Sequence, residues 1–283
     1  MAAVTVNDLH KSYGAYEALR GIDFEIEAGE VFGLLGPNGA GKTTTVEILE
    51  GYRRPDGGAV SVLGENPQRA GLDWRERIGV VLQSSAMYQN LDVTESLELF
   101  AGYYERPLAV DRVVELVGLT EKRDARVRTL SGGQKRRLDL GLGLIGDPEI
   151  LFLDEPTTGF DPAARRAAWD VIRSLRSLGK TILLTTHYLD EAETLADRVA
   201  VLREGQIVAI GKPAELSGAA PATEIRYRSG GEEVLISTHE PTRVLHELTA
   251  QALAEGRELE GLSVRRPSLE EVYLALTAEE EEA

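Results

Sequence analysis

The chain has 283 residues, of which 42% are hydrophobic and 28% are charged, a composition typical of globular proteins and unlike that of disordered or collagen-like chains. Its 47 acidic and 31 basic residues leave a formal net charge of −16, which disfavours a broad nucleic-acid-binding surface. Cysteine is absent, and this excludes disulfides, thiolate metal sites and cysteine nucleophiles. The length predicts one α/β domain with a smaller appendage.

The chain start lacks the basic and apolar regions of a secretory signal, and no stretch approaches the roughly eighteen consecutive apolar residues that favour a membrane span. We therefore expect a cytosolic protein that reaches a membrane only through a partner. No nucleic-acid partner is expected, because the acidic charge repels polyphosphates.

Up to residue 217, short apolar runs alternate with helical patterns, and this alternation predicts a mostly parallel sheet covered by helices on both faces. The predicted strands are almost entirely apolar and lie at 31–35, 78–82, 150–153, 181–185 and 199–202. The pattern then becomes helical between residues 84 and 146, with predicted helices at 93–104, 110–117 and 132–145. We interpret this stretch as a helical subdomain inserted into an α/β domain that covers residues 1–217.

A small acidic α+β lobe is predicted at 218–283, and the segment 217–222 is a candidate linker at its start. The predicted elements of this lobe are strands at 225–228, 234–237 and 262–265, and helices at 243–254 and 269–276. The closing run of glutamates, 279–282, is typical of a frayed and solvated tail.

A glycine-rich segment, Gly36-Pro37-Asn38-Gly39-Ala40-Gly41-Lys42-Thr43, joins the strand predicted at 31–35 to a helix. Glycine lets the backbone wrap closely around phosphate oxygens, and the start of the helix adds the positive end of its dipole. The pattern and its strand–helix context match a P-loop, with phosphates held along residues 39–44. Lys42 is predicted to hold the β- and γ-phosphates, the Thr43 hydroxyl to bind Mg²⁺, and Thr44 to complete the cradle.

Two carboxylates, Asp154 and Glu155, follow the apolar run 150–153 at the carboxyl end of a predicted strand, where open α/β sheets bind ligands. Asp154 is predicted to bind Mg²⁺, usually through water, and Glu155 to orient and deprotonate the attacking water. Alone, such a pair is more often a helix cap or a solvated turn. Its combination with the P-loop favours the catalytic interpretation.

The segment Leu130-Ser131-Gly132-Gly133-Gln134 is identical to the signature of ATP-binding-cassette (ABC) proteins, and the other cassette motifs follow in the family's order over residues 3–217. The chain therefore resembles a P-loop NTPase cassette of this family. From the residues alone, Ser131 is a natural N-cap, and Gly132 and Gly133 bare the first N–H groups of a helix as a second anion site. The resemblance implies that two cassettes pack head to tail, and that each signature closes on the γ-phosphate bound by the other's P-loop.

The resemblance also implies roles for isolated residues. Gln83 resembles the family's glutamine that senses Mg²⁺ and the lytic water. His187 resembles the switch histidine that contacts the γ-phosphate. Asp161 resembles the aspartate that communicates across the dimer. Tyr13 resembles the aromatic residue on which adenine stacks, with Tyr16 as an alternative. ATP and Mg²⁺ are the implied ligands. The implied metal-binding residues are Thr43, Gln83 and Asp154.

Three functions fit these motifs. A transporter ATPase is favoured, because family cassettes dock on membrane subunits beside the glutamine loop, here 84–100, where Met87, Tyr88 and Leu91 could receive a short helix. The segment 266–277 is similar to the ending of drug-resistance-type exporter ATPases such as the daunorubicin family, whose channel is a separate polypeptide. A soluble cassette acting on nucleic acid or the ribosome, and a nucleotide-gated protein without turnover, are the alternatives. We therefore expect the ATPase subunit of an exporter, paired with a second identical cassette and held by a separate permease at the cytoplasmic face of the membrane.

Overall fold

The computed structural model of the chain describes residues 2–83, 87–219, 223–229 and 232–265. The strands are β1 (Ala2–Tyr13), β2 (Tyr16–Glu27), β3 (Val31–Leu35), β4 (Gly57–Val62), β5 (Ile78–Val81), β6 (Ile150–Asp154), β7 (Thr181–Thr186), β8 (Arg198–Arg203), β9 (Gln206–Gly211), β10 (Thr223–Ser229), β11 (Glu232–Thr238) and β12 (Glu260–Arg265). The α-helices are α1 (Lys42–Leu49), α2 (Leu72–Glu76), α3 (Val93–Ala101), α4 (Val110–Leu116), α5 (Gly132–Leu144), α6 (Pro162–Ser177), α7 (Leu189–Leu195), α8 (Pro213–Ala219) and α9 (Pro241–Ala254). Within these ranges, every helix is too short or too polar to cross a bilayer.

A six-stranded sheet with the spatial order β5-β6-β7-β3-β8-β9 forms the centre of the first unit. The pairings from β5 to β8 are parallel, as predicted. β8 and β9 are joined by Glu204 and Gly205, whose φ angles of 47° and 80° suit a tight hairpin turn. The strand predicted at 78–82 is one residue too long, because β5 ends at Val81 and the Leu82 side chain is exposed.

The apolar residues of the central strands divide between two cores. In β6, Ile150 and Phe152 belong to a core shared with β1, β2 and α1. Leu151 and Leu153 belong to a second core shared with α3, α4, α5 and α6. Successive side chains of a strand point to opposite faces, so both faces of this sheet are covered. This explains why the central strands are continuous apolar runs.

A second sheet, β2-β1-β4, is antiparallel and was not predicted from the sequence. The pairing of β1 with β2 contains several register shifts, and Asp8 in β1 has a φ of 49°. Such irregularities break the alternation of apolar and polar residues that identifies a strand in a sequence.

The helices α3, α4 and α5 occupy the stretch between residues 84 and 146 where the sequence pattern is helical. α3 begins at an Asp92 capping box, in which Asp92 and Glu95 each accept the other's backbone N–H. It ends at Ala101, before the predicted end at 104, and Gly102 follows as its C-cap.

The chain divides into two compact units, 1–210 and 211–283. The described part of the second unit contains α8, α9 and an antiparallel sheet with the order β11-β10-β12, which agrees with the predicted α+β lobe. The predicted linker is wrong over 217–219, because these residues complete α8, which starts at Pro213. The predicted helix at 269–276, the glutamate run and the segment 266–277 lie outside the described residues.

Candidate functional site

The P-loop connects β3 to α1, and its glycines are required by close backbone contacts. A Cβ atom on Gly36 would lie 2.2 Å from the Leu202 carbonyl oxygen. One on Gly41 would lie 2.7 Å from the Ala18 carbonyl oxygen, and Gly41 has a φ of 108°. Only glycine fits either position, so β8 and β2 fix the path of the loop.

Lys42 lies inside the curve of this loop, with only 5% of its surface exposed. Its Nζ donates to the carbonyl oxygens of Gly36 at 2.8 Å and Pro37 at 3.2 Å, and it lies 3.4 Å from Glu155 Oε1. The ammonium group thus connects the P-loop to the carboxylate pair. A cavity of 340 Å³ opens beside it. The predicted site residues that line this cavity are Tyr13, Asn38, Gly39, Gly41, Lys42, Thr43, Thr44, Gln83 and Glu155.

Thr185, in β7, positions both carboxylates. Its hydroxyl donates to Asp154 Oδ1 at 2.6 Å and accepts the backbone N–H of Glu155 at 2.9 Å. The Thr43 hydroxyl donates to Asp154 Oδ2 at 3.2 Å, which joins the start of α1 to the end of β6. Asp154 is therefore held from two sides, by a neighbouring strand and by the P-loop helix.

Glu155 is 8% exposed and has a φ of 45°, in the left-handed region that costs a non-glycine residue about 1–3 kcal/mol. Its Oε2 accepts from the Gln83 amide at 3.2 Å and from the Thr158 hydroxyl at 3.0 Å. Burial raises the pKa of this carboxyl, but the Thr158 hydrogen bond and the charges of Lys42 and His187 outweigh it, and the net pKa is lowered. The carboxylate is therefore ionised at neutral pH.

Thr43, Asp154 and Gln83 carry oxygen atoms of the kind that binds magnesium. Thr43 Oγ1, Asp154 and the Gln83 amide supply hard oxygen donors, the type that Mg²⁺ prefers. In the described part of the chain, no group of three or more Asp, Glu or His side chains is arranged to hold a metal. A divalent cation at Asp154 would therefore need phosphate or water oxygens to complete its coordination.

His187 follows β7, and its Nδ1 lies 3.3 Å from Glu155 Oε1 without making a hydrogen bond. The helix that follows, α7, is tied to the segment after Glu155 by Glu191. Glu191 Oε1 accepts from the Thr157 hydroxyl at 2.7 Å and from the Trp169 indole N–H at 3.0 Å. Burial raises the pKa of Glu191 in spite of these hydrogen bonds. Glu191 thus connects the histidine segment to the carboxylate segment.

The signature motif begins α5. Ser131 accepts the Gln134 backbone N–H at 3.3 Å, and the Gln134 side chain accepts the Ser131 N–H at 2.9 Å. Among the described residues that line the P-loop cavity, none belongs to the segment 131–134. Gly132 lines a neighbouring pocket, which shares Gln83 and Glu155 with that cavity.

Asp161 also lies outside the P-loop cavity, where it caps α6. Its Oδ1 accepts the backbone N–H groups of Ala163 and Ala164, both at 2.9 Å. The structure therefore brings together the predicted P-loop, metal-binding and catalytic residues, while the signature and Asp161 lie apart from the P-loop within one chain.

Arg136 links α5 to the ends of β5 and β6. Its guanidinium donates to the carbonyl oxygens of Leu82, Asp154 and Pro156, the last two at 2.9 and 3.0 Å. These carbonyls flank Gln83 and Glu155. The signature helix is therefore attached directly to the backbone that presents both side chains.

Both tyrosines proposed for adenine lie at the cavity. Tyr13 is 40% exposed, and its ring centroid lies 5.1 Å from the Arg53 guanidinium carbon. Tyr16 is 52% exposed, and its hydroxyl donates to the Gly39 carbonyl oxygen at 2.8 Å. Neither residue is part of the core, so each offers an aromatic surface to the cavity.

Sequence reasoning missed Thr185, Thr158, Arg136 and Glu191. The only sequence feature that marks Thr185 is a polar residue inside a buried apolar strand. Arg136 and Glu191 are charged residues on helices, which are usually solvated, and nothing in the sequence indicates that they are buried.

The fold and this site define a P-loop nucleotide-binding cassette with a signature helix. The family model described as ABC transporter matches residues 19–158. The chain is 39% identical to Nod factor export ATP-binding protein I of Ralstonia nicotianae, over 98% of this chain and 94% of that protein. It is 38% identical to daunorubicin resistance ATP-binding protein DrrA3 of Streptomyces coeruleorubidus, over 98% and 96% of the two chains.

Solved structures agree with these matches. An ATP-binding subunit of an ABC transporter superposes with a TM-score of 0.70 at 25% identity, covering 97% of this chain and 99% of that one. The cbiO1 protein of Clostridium perfringens, part of the ABC transporter complex cbiONQ, gives a TM-score of 0.71 at 28% identity, with coverage of 77% and 91%. The chain belongs to the ATP-binding proteins of ABC transporters, which confirms the resemblance carried by the signature motif and implies ATPase activity.

Proposed function

We propose that this protein is the ATP-hydrolysing subunit of an ABC exporter. The observation that carries the proposal is the convergence of Lys42, Gln83 and His187 on Glu155, which lines the P-loop cavity at the carboxyl edge of the central sheet. Such a site combines a phosphate-binding cation, a carboxylate base and a histidine within hydrogen-bonding or ionic distance. This combination suits attack of water on a terminal phosphate.

ATP would bind with its phosphates along residues 39–44 and its adenine on Tyr13. Lys42 would then exchange its contacts with the Gly36 and Pro37 carbonyls for phosphate oxygens. The residues that would hold Mg²⁺ are Thr43, Gln83 and Asp154, and the ion would neutralise phosphate charge when bound. Tyr16 is the alternative surface for adenine, since the hydroxyls of both tyrosines contact the P-loop segment, Tyr13 at Thr44 Oγ1 and Tyr16 at the Gly39 carbonyl oxygen.

Glu155 would take the proton of the attacking water. The charge of Lys42 helps to lower the pKa of Glu155. If the Lys42 ammonium group moves to the phosphates, the pKa of Glu155 would rise and its carboxylate would become a stronger base. His187 would steady the γ-phosphate. Catalysis would thus be coupled to substrate binding through one ammonium group.

The second ATP contact would come from another copy of the chain. The start of α5 lies outside the P-loop cavity, and its glycines and the Ser131 hydroxyl form the kind of anion site that a helix N-terminus provides. In a head-to-tail homodimer, the signature and Asp161 of one cassette would meet the nucleotide of the other. Hydrolysis would then depend on dimerisation.

A separate membrane subunit would dock on a groove between the central sheet and the helical segment. The groove has a volume of 890 Å³, and its walls include Tyr52, Leu82, Met87, Tyr88 and Phe100. Exposed aromatic and aliphatic side chains suit an amphipathic helix. Leu91, predicted to contribute, is not among the described residues that line it. The cassette would thereby be held at the cytoplasmic face of a membrane, and the relatives named for export and drug resistance favour an exporter.

Two substitutions test the site. Glu155→Gln should lower kcat for ATP hydrolysis by about 10²–10⁴-fold while the Kd for ATP changes little, because only the base is lost. Lys42→Ala should instead weaken ATP binding, measured by fluorescence titration, because a charge-assisted phosphate contact is lost. Unchanged turnover in the first variant, or normal ATP affinity in the second, would contradict the assigned roles.

A second experiment tests the transporter assignment. The Glu155→Gln protein, tagged and loaded with ATP, should co-purify from solubilised membranes with a polytopic protein in near-equal amount, as identified by mass spectrometry. Ribosomes or DNA-repair proteins in place of a membrane subunit would favour the soluble alternative.

A further inference from the structure

Glu50 is a carboxyl group in the docking groove that the proposed ATPase cycle does not use. It is the C-cap residue of α1, and its side chain lines the groove beside Tyr52. Its Oε1 atom is buried and makes no hydrogen bond with any residue that the structure describes. A buried polar atom without a partner is uncommon in proteins and is costly to maintain.

Burial, the charges of neighbouring carboxylates and the position at a helix end all disfavour the ionised form of Glu50. Burial is the largest, and the negative charges of Asp154 and Glu47 add to it, so that the pKa is raised from 4.5 to about 8. A negative charge at the carboxyl end of a helix is also unfavourable, because the helix dipole is negative there. With no hydrogen-bond partner for Oε1 among the described residues, this carboxyl therefore weakens the folded cassette.

The acidic side chains nearest to Glu50 in sequence and in the groove have their own cations. Glu47 Oε2 accepts from Arg53 Nε at 2.5 Å, and Asp139 Oδ2 lies 3.7 Å from Arg136 Nη1. Arg75 also lines the groove, and it forms no ion pair within the described part of the chain. Arg75 and Glu50 thus face the same groove without joining each other.

We propose that Glu50 is the receptor for a lysine or arginine side chain on the short helix of the membrane subunit that occupies this groove. The inference rests on the proposed function, since it names the chemistry by which the docked partner is recognised. The apolar walls suit the aliphatic stem of a basic side chain, and the unpaired carboxyl suits its charged end. A basic residue that enters the groove ionises Glu50 and forms an ion pair shielded from water, which makes this contact selective for partners that carry the charge.

The test measures the Kd between the full-length cassette and its membrane subunit, reconstituted in nanodiscs, by biolayer interferometry. Glu50→Gln should raise the Kd by about tenfold or more, because it removes the charge and keeps the shape. The matched control is Glu47→Gln, the same change on the same helix at a carboxylate paired outside the groove, and it should change the Kd by less than about twofold. ATP hydrolysis by the isolated Glu50→Gln cassette should match that of the unaltered cassette, which shows that the variant is folded.

A charge exchange identifies the partner residue. Glu50→Lys should abolish the complex, and one Lys→Glu or Arg→Glu substitution in the cytoplasmic helices of the membrane subunit should restore it. A Kd for Glu50→Gln within twofold of the unaltered protein overturns the inference, and so does failure of every such exchange to rescue Glu50→Lys. If Arg75→Gln raises the Kd as much as Glu50→Gln does, and no charge exchange rescues Glu50→Lys, Glu50 would be assigned to an internal pair with Arg75 instead. If the unaltered cassette binds no membrane subunit, the proposed function itself fails.

Discussion

Thr185 does not line the P-loop cavity, and yet it supports both carboxylates of the site. Its single hydroxyl orients Asp154 and holds the backbone of Glu155, which has an unfavourable φ angle. The strand β7 supplies this hydroxyl next to β6 because the two strands pair in parallel, with Asp154 opposite Thr185. The residue proposed to bind the metal and the residue proposed to activate water therefore share one support.

Thr185→Val should lower kcat for ATP hydrolysis by about tenfold or more, since the shape is kept and both hydrogen bonds are lost. The free energy of unfolding should fall by about 1–3 kcal/mol, because a buried carboxylate loses its donor. Thr185→Ser keeps the hydroxyl and should retain most of the activity. Equal kcat values for the two variants would remove Thr185 from the positioning role.

The raised pKa of Glu50 predicts a pH-dependent stability. Between pH 4.5 and about 8 the folded carboxyl stays protonated while the unfolded one ionises, so the folded state of the isolated cassette loses stability as the pH rises through this window. Glu50→Gln removes this loss. In urea unfolding from pH 6 to pH 9, its stability relative to the unaltered protein should rise by at most about 1.4 kcal/mol per pH unit and level off above pH 8. A stability difference that is independent of pH would contradict the burial of this group.

The sequence predicts those site residues that belong to motifs with fixed spacing. The glycines and Lys42 are recognisable because a phosphate cradle demands them in one order. Thr185 and Glu50 are not, because their roles depend on neighbours that only the folded chain brings together. A threonine in a strand and a glutamate at a helix end have no spacing that separates them from ordinary residues.

At the scale of elements, Arg136 makes the signature helix and the carboxylate edge of the sheet one mechanical unit. Three carbonyl oxygens at the ends of β5 and β6 accept from this one guanidinium. Movement of α5 when a second cassette closes would therefore be transmitted to Gln83 and Glu155.

Arg136→Gln should lower kcat by about tenfold or more and leave the Kd for ATP within about threefold, because the P-loop keeps its own contacts. Arg137→Gln is the matched control on the same helix, since the Arg137 guanidinium donates to the Gly118 carbonyl oxygen at 2.7 Å, away from the carboxylates. Thermal unfolding of both variants separates loss of fold from loss of catalysis. An equal loss of kcat in both would assign Arg136 a structural role only.

The central strands were predictable for a physical reason, whereas the helices α2, α6, α7 and α8 were not predicted. Strands such as β6 are buried on both faces, and they therefore read as continuous apolar runs bounded by loops. The antiparallel sheet of β1, β2 and β4 was not recognised, because register shifts interrupt the alternation in β1 and one of its faces is exposed. This sheet supplies Tyr13 and Tyr16, which line the P-loop cavity, and their role was predicted only through the family resemblance.

At the scale of the whole molecule, we propose that a single cassette holds two separated parts of one site. The P-loop cavity is lined by Lys42, Thr43, Gln83 and Glu155, and the start of α5, which we propose as an anion site, does not line it. The family resemblance implied this division, and in the structure no residue of the segment 131–134 lines the P-loop cavity. A second copy would bring the missing part to each cavity.

The most direct test of this account is the mass of the Glu155→Gln protein in solution, measured by light scattering with and without Mg²⁺ and ATP. We expect a monomer of 30.8 kDa without nucleotide and a dimer with ATP, since slow hydrolysis preserves the closed pair. Ser131→Arg, added to the same protein, should bind ATP and remain monomeric. A Glu155→Gln protein that is saturated with ATP and stays monomeric would contradict a catalytic site shared between two cassettes.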